Sequence, residues 1–222
     1  MRILLTGFAP FDGDSRNPSE QAVRALADDP PPGLVLAAAV LPVSYAGALP
    51  ALRAAILRDA PDVVLATGLA GGRPHISVER VAINIDDARI ADNDGARRID
   101  SPVIRGGPAA YFATVPIKAI TAAIRAAGVP AVVSQSAGTF LCNHVFYNAC
   151  HIAATARPAM RVGFLHLPFL PEQARDRAEG PGAAPGMAPS MALATQLAGL
   201  RAALAALRET AADLAVAEGA AS

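Results

Sequence analysis

Two cysteines and four histidines are the side chains of this 222-residue chain best suited to nucleophilic or proton-transfer chemistry at neutral pH. Cys142 stands in Ser134-Gln135-Ser136-Ala137-Gly138-Thr139-Phe140-Leu141-Cys142-Asn143-His144, where a strand pattern gives way to a helical one. Near a helix N-terminus, free N–H groups and the positive dipole end favour the thiolate, which is the form that attacks. Cys150, on the same predicted helix, is about 12 Å away by helical rise, too far for a disulfide. It reads as a small buried structural residue. Ser136 is a rival nucleophile, because Ser134–Gly138 approximates a G-x-S-x-G elbow with Ser134 in place of the first glycine.

A nucleophile needs a base. His144 and His151 share the predicted helix of Cys142, and His144, two residues on, projects from a different face. His166 ends a predicted strand, Arg161–Leu165, and catalytic groups in open α/β sheets gather beyond strand carboxyl ends. That places Cys142 and His166 at one rim. Alternation over His75–Asp86 sets Glu79, Val81, Ile83 and Ile85 on one strand face, and Arg80, Ala82, Asn84 and Asp86 on the other. A carboxylate on the apolar face requires a partner. A histidine would satisfy Glu79 and be oriented by it; a salt bridge to an arginine is the other reading. The histidines and cysteines lack metal-ligand spacing, and no dinucleotide or phosphate fingerprint occurs, so no metal or cofactor is expected. Gly68-Leu69-Ala70-Gly71-Gly72-Arg73 reads as a tight rim loop.

The elements that must position these groups alternate. Predicted strands at Arg2–Thr6, Leu34–Leu41, Pro61–Thr67, Ala131–Ser134 and Arg161–Leu165 are separated by helical patterns, the rhythm of an α/β fold. Asn17-Pro18-Ser19-Glu20 supplies a cap, a first-turn proline and a capping-box glutamate. That helix runs to about Ala27 and stops at Pro30-Pro31-Pro32-Gly33. Further helices are predicted over Ala46–Asp59, Val115–Ala127 and 142–156, and Gly180–Pro189 is a Gly/Pro-rich loop. From about 190 a long Ala/Leu helix carries Leu193, Leu197, Leu200, Leu204, Leu207 and Leu214, with Ala211 completing a heptad seam. It either lies on its own sheet or meets another subunit.

Hydrophobic residues are 53% and charged ones 17%, enough for a large core and too apolar for disorder. Nineteen basic side chains balance nineteen acidic ones, which argues against nucleic acid or an anionic membrane as partner. No apolar run has spanning length, no signal-peptide pattern opens the chain, and two cysteines are too few for a disulfide scaffold. One cytoplasmic α/β domain over residues 1–222 is expected.

Several motifs together resemble the type I pyroglutamyl peptidases, the pyrrolidone carboxyl peptidases. They are Thr6-Gly7-Phe8-x-Pro10-Phe11-x-Gly13 with Asn17-Pro18-Ser19, Gly68-x-Ala70-Gly71-Gly72-Arg73, and Glu79-Arg80-Val81-Ala82-Ile83-Asn84. Asp87-Ala88-Arg89-Ile90-x-Asp92-Asn93, the Ser136–Tyr147 segment and Gly163-Phe164-Leu165-His166-Leu167-Pro168 continue the series, so the likeness spans nearly the whole chain. The resemblance implies a three-layer α/β/α sandwich around a mostly parallel mixed sheet. It also implies a cofactor-free, cytoplasmic and often homotetrameric thiol peptidase acting on peptides with an N-terminal pyroglutamate. By position Cys142 matches the nucleophile, His166 the general base and acid, Glu79 the orienting carboxylate and Arg89 an arginine near the oxyanion region. Phe8, Phe11, Phe140 and Leu141 match the walls of the pyroglutamyl pocket, with Ile90 counted beside them. Leu69 stands where many members carry Gln and Val43 where a Thr is common, so this pocket is more apolar. A thiol amidase of different acyl specificity and a silent pyroglutamyl-binding protein are the alternatives.

Overall fold

The computed structural model describes residues 1–179, 187–210 and 212–219, and its strands form as the alternating apolar runs demand. β1 (Arg2–Phe8), β2 (Val35–Leu41), β3 (Val63–Leu69), β4 (Ile76–Glu79), β7 (Ala131–Ser134) and β8 (Arg161–Leu167) build one six-stranded sheet, ordered β2-β1-β3-β8-β4-β7. The first four in that order are mutually parallel, while β4 runs antiparallel to β8 and parallel to β7. A two-stranded ribbon of β5 (Val81–Ile83) and β6 (Ala110–Phe112) stands apart.

Buried on both faces, the sheet separates two cores. Ile3, Leu5, Val63, Leu65, Ile76 and Val78 face one side, where α1 (Pro18–Asp28), α3 (Ile117–Ala126) and α6 (Leu193–Glu209) supply Val23, Ile120 and Leu204. Leu4, Val64, Ala66, Val162 and Phe164 face the other, under α2 (Tyr45–Asp59) and α4 (Leu141–Ala156), which supply Leu52 and Phe146. The result is the three-layer sandwich with a mixed, mostly parallel sheet.

Several expectations change. The predicted strand His75–Asp86 breaks at Arg80 into β4 and β5, which belong to different sheets. Glu79 is buried as expected, on the strand face opposite Ile76 and Val78. β1 continues through Phe8, paired with Leu41, so Phe8 is a strand end and not a loop residue. β8 continues through Leu167, so His166 lies inside the strand. Asn17 caps α1 by accepting from the Ser19 N–H, whereas Glu20 pairs with Arg24 one turn on. An additional helix, α5 (Pro171–Glu179), follows β8.

The last helix lies on its own sheet. Leu200, Leu204 and Leu207 are buried in the first core, with Leu193 and Leu197 packed against it. The heptad seam ends there, because the helix stops at Glu209 and Leu214 is 41% exposed. Past that point Asp213 accepts the Lys118 and Ala119 N–H groups at the start of α3, a helix with no side-chain cap at its own first position. Ala211, and residues 180–186 of the predicted Gly/Pro-rich loop, lie outside the described residues.

Candidate active site

Strand register brings the site together. Gly68 of β3 and His166 of β8 are direct partners in a parallel ladder, so their side-chain positions point to the same face. A Cβ built on Gly68 would lie 2.6 Å from the Cys142 sulfur and 2.9 Å from the Phe164 ring. The thiol therefore occupies the space that the missing side chain leaves, beside His166 on the α4 face of the sheet. Ser77 of β4 pairs with His166 from the other flank, and Glu79, two residues along, shares its face.

Glu79 is fully buried and accepts from His166 Nδ1 at 2.7 Å. Because an ionised carboxylate only accepts, the ring proton resides on Nδ1 and Nε2 stays open to take one. Arg73 Nη1 donates to the same oxygen, Glu79 Oε1, at 2.8 Å. Glu79 thus contacts both a histidine and an arginine, the partners of the two sequence readings.

Cys142 is the second residue of α4, as the sequence suggested, but not through the carboxyl ends of two parallel strands. β7 runs opposite to β8, so residues 135–140 carry the chain back across the face to Gly68. Phe140 is the N-cap and contributes no side-chain hydrogen bond, which leaves the first-turn N–H groups of α4 unspent. Burial nevertheless dominates the thiol. Although the residue keeps partial exposure, burial and then the Glu79 carboxylate push its pKa up to about 12, against the opposing pull of Arg73. Desolvation therefore opposes the thiolate that the helix terminus favours.

Cys150 is buried and unpaired, and Ser136 is exposed with its hydroxyl accepting from the Gly138 N–H. Among the described residues, no group of three or more His, Cys, Asp or Glu could hold a metal ion.

Beside the thiol is a narrow cavity of about 20 Å³ lined by Phe8, Phe11, Val43, Phe140, Leu141 and Cys142, with Leu69 and Asn17 completing it. The Asn17 amide donates to the Ala9 carbonyl and accepts from Ser19, so apart from the Cys142 sulfur the side-chain lining is mainly carbon.

A family model described as "Pyroglutamyl peptidase" matches residues 1–210. The pyrrolidone-carboxylate peptidase of Streptomyces coelicolor is 54% identical over 221 residues, covering 99% of this chain and 98% of that protein. The crystal structure of pyroglutamyl peptidase I from Bacillus amyloliquefaciens superposes with TM-score 0.91 at 38% identity, over 97% of this chain and 99% of that one. The pyrrolidone carboxyl peptidase of Thermococcus litoralis gives 0.87 at 37% identity, over 94% and 93%.

The chain belongs to the pyroglutamyl peptidase family.

Within this member of the family, Arg89 and Ile90 are placed less centrally. Arg89 is exposed and lines an outer cavity of about 260 Å³, with Ile90, Leu69, Phe11 and Phe140, and not the cavity that contains Cys142. The strip carrying Arg89 is tied to the entrance of α4. The Asp87 N–H donates to the Thr139 carbonyl at 2.8 Å, and the Thr139 hydroxyl donates to the Asp87 carbonyl at 2.7 Å.

Sequence reasoning assigned no role to four residues that hold this peptidase site. Arg73 was seen only as part of a glycine-rich loop. Asn143, fully buried, accepts from the Ile83 N–H and donates to the Ile83 and Ile85 carbonyls. His144 Nδ1 meets Asp86, which also accepts from Arg98 at 2.8 Å. Two polar residues directly after the cysteine, on a helix otherwise destined for burial, were the available signal.

Proposed function

We propose that this peptidase removes N-terminal pyroglutamyl residues from peptides through a thioester on Cys142, with His166 as base and acid and Glu79 as its orienter. The observation that carries the assignment is the shared face: the thiol fills the place of the absent Gly68 side chain, and Gly68 is the register partner of His166. With the carboxylate on Nδ1, His166 Nε2 accepts the Sγ proton as sulfur bonds to the pyroglutamyl carbonyl carbon. The developing oxyanion meets the first-turn N–H groups of α4, with Arg89 on the open side. Nε2 then passes its proton to the leaving amine nitrogen as the C–N bond breaks. A water molecule gives a proton to Nε2 and its oxygen to the carbonyl carbon. The C–S bond breaks, and the proton returns to sulfur.

Because burial favours the neutral thiol, in this reading proton transfer to His166 accompanies attack. A flat, uncharged lactam suits carbon walls with backbone hydrogen bonds, and an ordinary ammonium terminus would be desolvated there without a partner. Since the inner cavity is narrow, the half-buried rings of Phe11 and Phe140, 6.4 Å apart, must yield for the lactam to enter. This reading includes one domain, a cytoplasmic location and a homo-oligomer, a tetramer by family resemblance. No helix among the described residues is long and apolar enough to cross a membrane. Light scattering behind size exclusion reads the subunit count.

The first test is release of a fluorescent amine from its pyroglutamyl amide, beside the prolyl amide, before and after iodoacetamide. Turnover of the first alone, lost on alkylation and absent in Cys142→Ala, is expected. Near-parental turnover in Cys142→Ala would sink the assignment. Rapid alkylation of Cys142 without any turnover would favour the amidase of different acyl specificity.

A further inference from the structure

The outer cavity has a wall that the chemistry so far leaves unused. Phe169, two residues beyond the end of β8, is half-buried, and its ring lies so close over Gly71 that a Cβ there would overlap it. The Arg177 guanidinium covers the ring at 4.9 Å from its centroid and is itself held by Asp14 at 3.0 Å. The Phe169 carbonyl accepts from the Met191 N–H at 2.8 Å, so the backbone is fixed as well. Five half-buried apolar side chains, Phe11, Leu69, Ile90, Phe140 and Phe169, line one opening of about 260 Å³, with the charged Asp12, Arg89 and Arg177 at its other walls. Three of them, Phe11, Leu69 and Phe140, also line the cavity containing Cys142.

We propose that the outer cavity is the subsite for the first residue of the leaving peptide, that it takes large apolar or aromatic side chains, and that Phe169 sets this preference. The inference rests on the peptidase reading above. With the pyroglutamyl carbonyl at Cys142 and its ring in the inner cavity, the peptide must leave through an opening that the two cavities share. A phenyl or isobutyl group there buries its surface against Phe169 and Ile90, and glycine buries nothing. Phe169 does not line the cavity that contains Cys142, so it acts on selectivity and not on the bond-breaking step.

The test compares kcat/KM for pyroglutamyl-Phe-amide, pyroglutamyl-Leu-amide and pyroglutamyl-Gly-amide on the full chain and on Phe169→Ala, with released amino-acid amide quantified chromatographically. The expected Phe-to-Gly preference is about tenfold or more, about 1.4 kcal/mol in transition-state binding, in the parent. In Phe169→Ala it falls to within roughly threefold while the glycine substrate changes by less than about twofold. A flat series in the parent, or a preference that survives in Phe169→Ala, overturns the proposal. Product inhibition of the parent is read as well, so a variant that fails to fold does not decide the matter. Phenylalanine amide should inhibit at concentrations where glycine amide does not, and equal inhibition overturns the subsite. If no pyroglutamyl substrate is cleaved, the peptidase reading itself falls; a flat series with good turnover rejects only the subsite.

Discussion

Cys142 is held where desolvation and a neighbouring carboxylate both oppose ionisation, and Arg73 is the one named charge pulling the other way. The cation also shares Glu79 Oε1 with His166. Removing it leaves that buried carboxylate facing the thiol and the imidazole with less compensation. Both effects retain the proton on sulfur to higher pH. Arg73→Met is therefore expected to make proton transfer to His166 harder and to lower kcat/KM at neutral pH about tenfold, with Arg73→Lys recovering part of the loss. An unchanged kcat/KM would make Arg73 a packing residue. Glu79→Gln should cut kcat by about a hundredfold or more with the fold retained, because the imidazole loses the negative charge that stabilises its protonated form and the new amide NH2 can select the wrong tautomer. Circular dichroism beside the rate measurement checks this.

At the scale of elements, the site depends on a backbone contact between β3 and the start of α4. Gly68 is not a turn residue; its missing side chain is the space where the thiol sits. Gly68→Ala should push Cys142 and Phe164 apart and cost about a hundredfold or more in kcat/KM. The stability loss should be smaller, about 1–3 kcal/mol as for overpacking. Activity and denaturant midpoint measured on the same preparation separate the two. A similar logic applies to α1. Its Asn17 cap also anchors the loop behind the pocket through the Ala9 carbonyl, so Asn17→Ala should cost about 1 kcal/mol of stability and raise KM. Urea unfolding and initial-rate kinetics report these separately.

For the whole molecule, burial of the two cysteines links stability to alkaline pH. Burial pushes the Cys150 thiol up to about 12, as burial and Glu79 do for Cys142. Both folded values exceed the unfolded one. The native state therefore holds two protons that the unfolded chain has released, and stability falls as pH rises from about 9 through about 12. Cys150→Ala should flatten that decline in denaturant midpoints taken across the range, and an unchanged slope would remove Cys150 from the account.

The sequence determined the α/β class, the capped first helix and the presence of a long apolar C-terminal helix, since each follows from local periodicity, caps and apolar content, but it left open what that helix packs against. It also picked out Cys142, His166 and Glu79, because few residue types can attack, shuttle a proton or orient an imidazole. Tertiary structure decided what local pattern does not encode. The antiparallel course of β4 and β7 against β8, the break at Arg80, the double duty of Glu79, and the seating of Phe169 over Gly71 all depend on pairings between segments far apart in the chain. So does the desolvation of the thiol. The helix-terminus field is local and readable from sequence, whereas desolvation is set by everything that packs around the sulfur, and it opposes ionisation here.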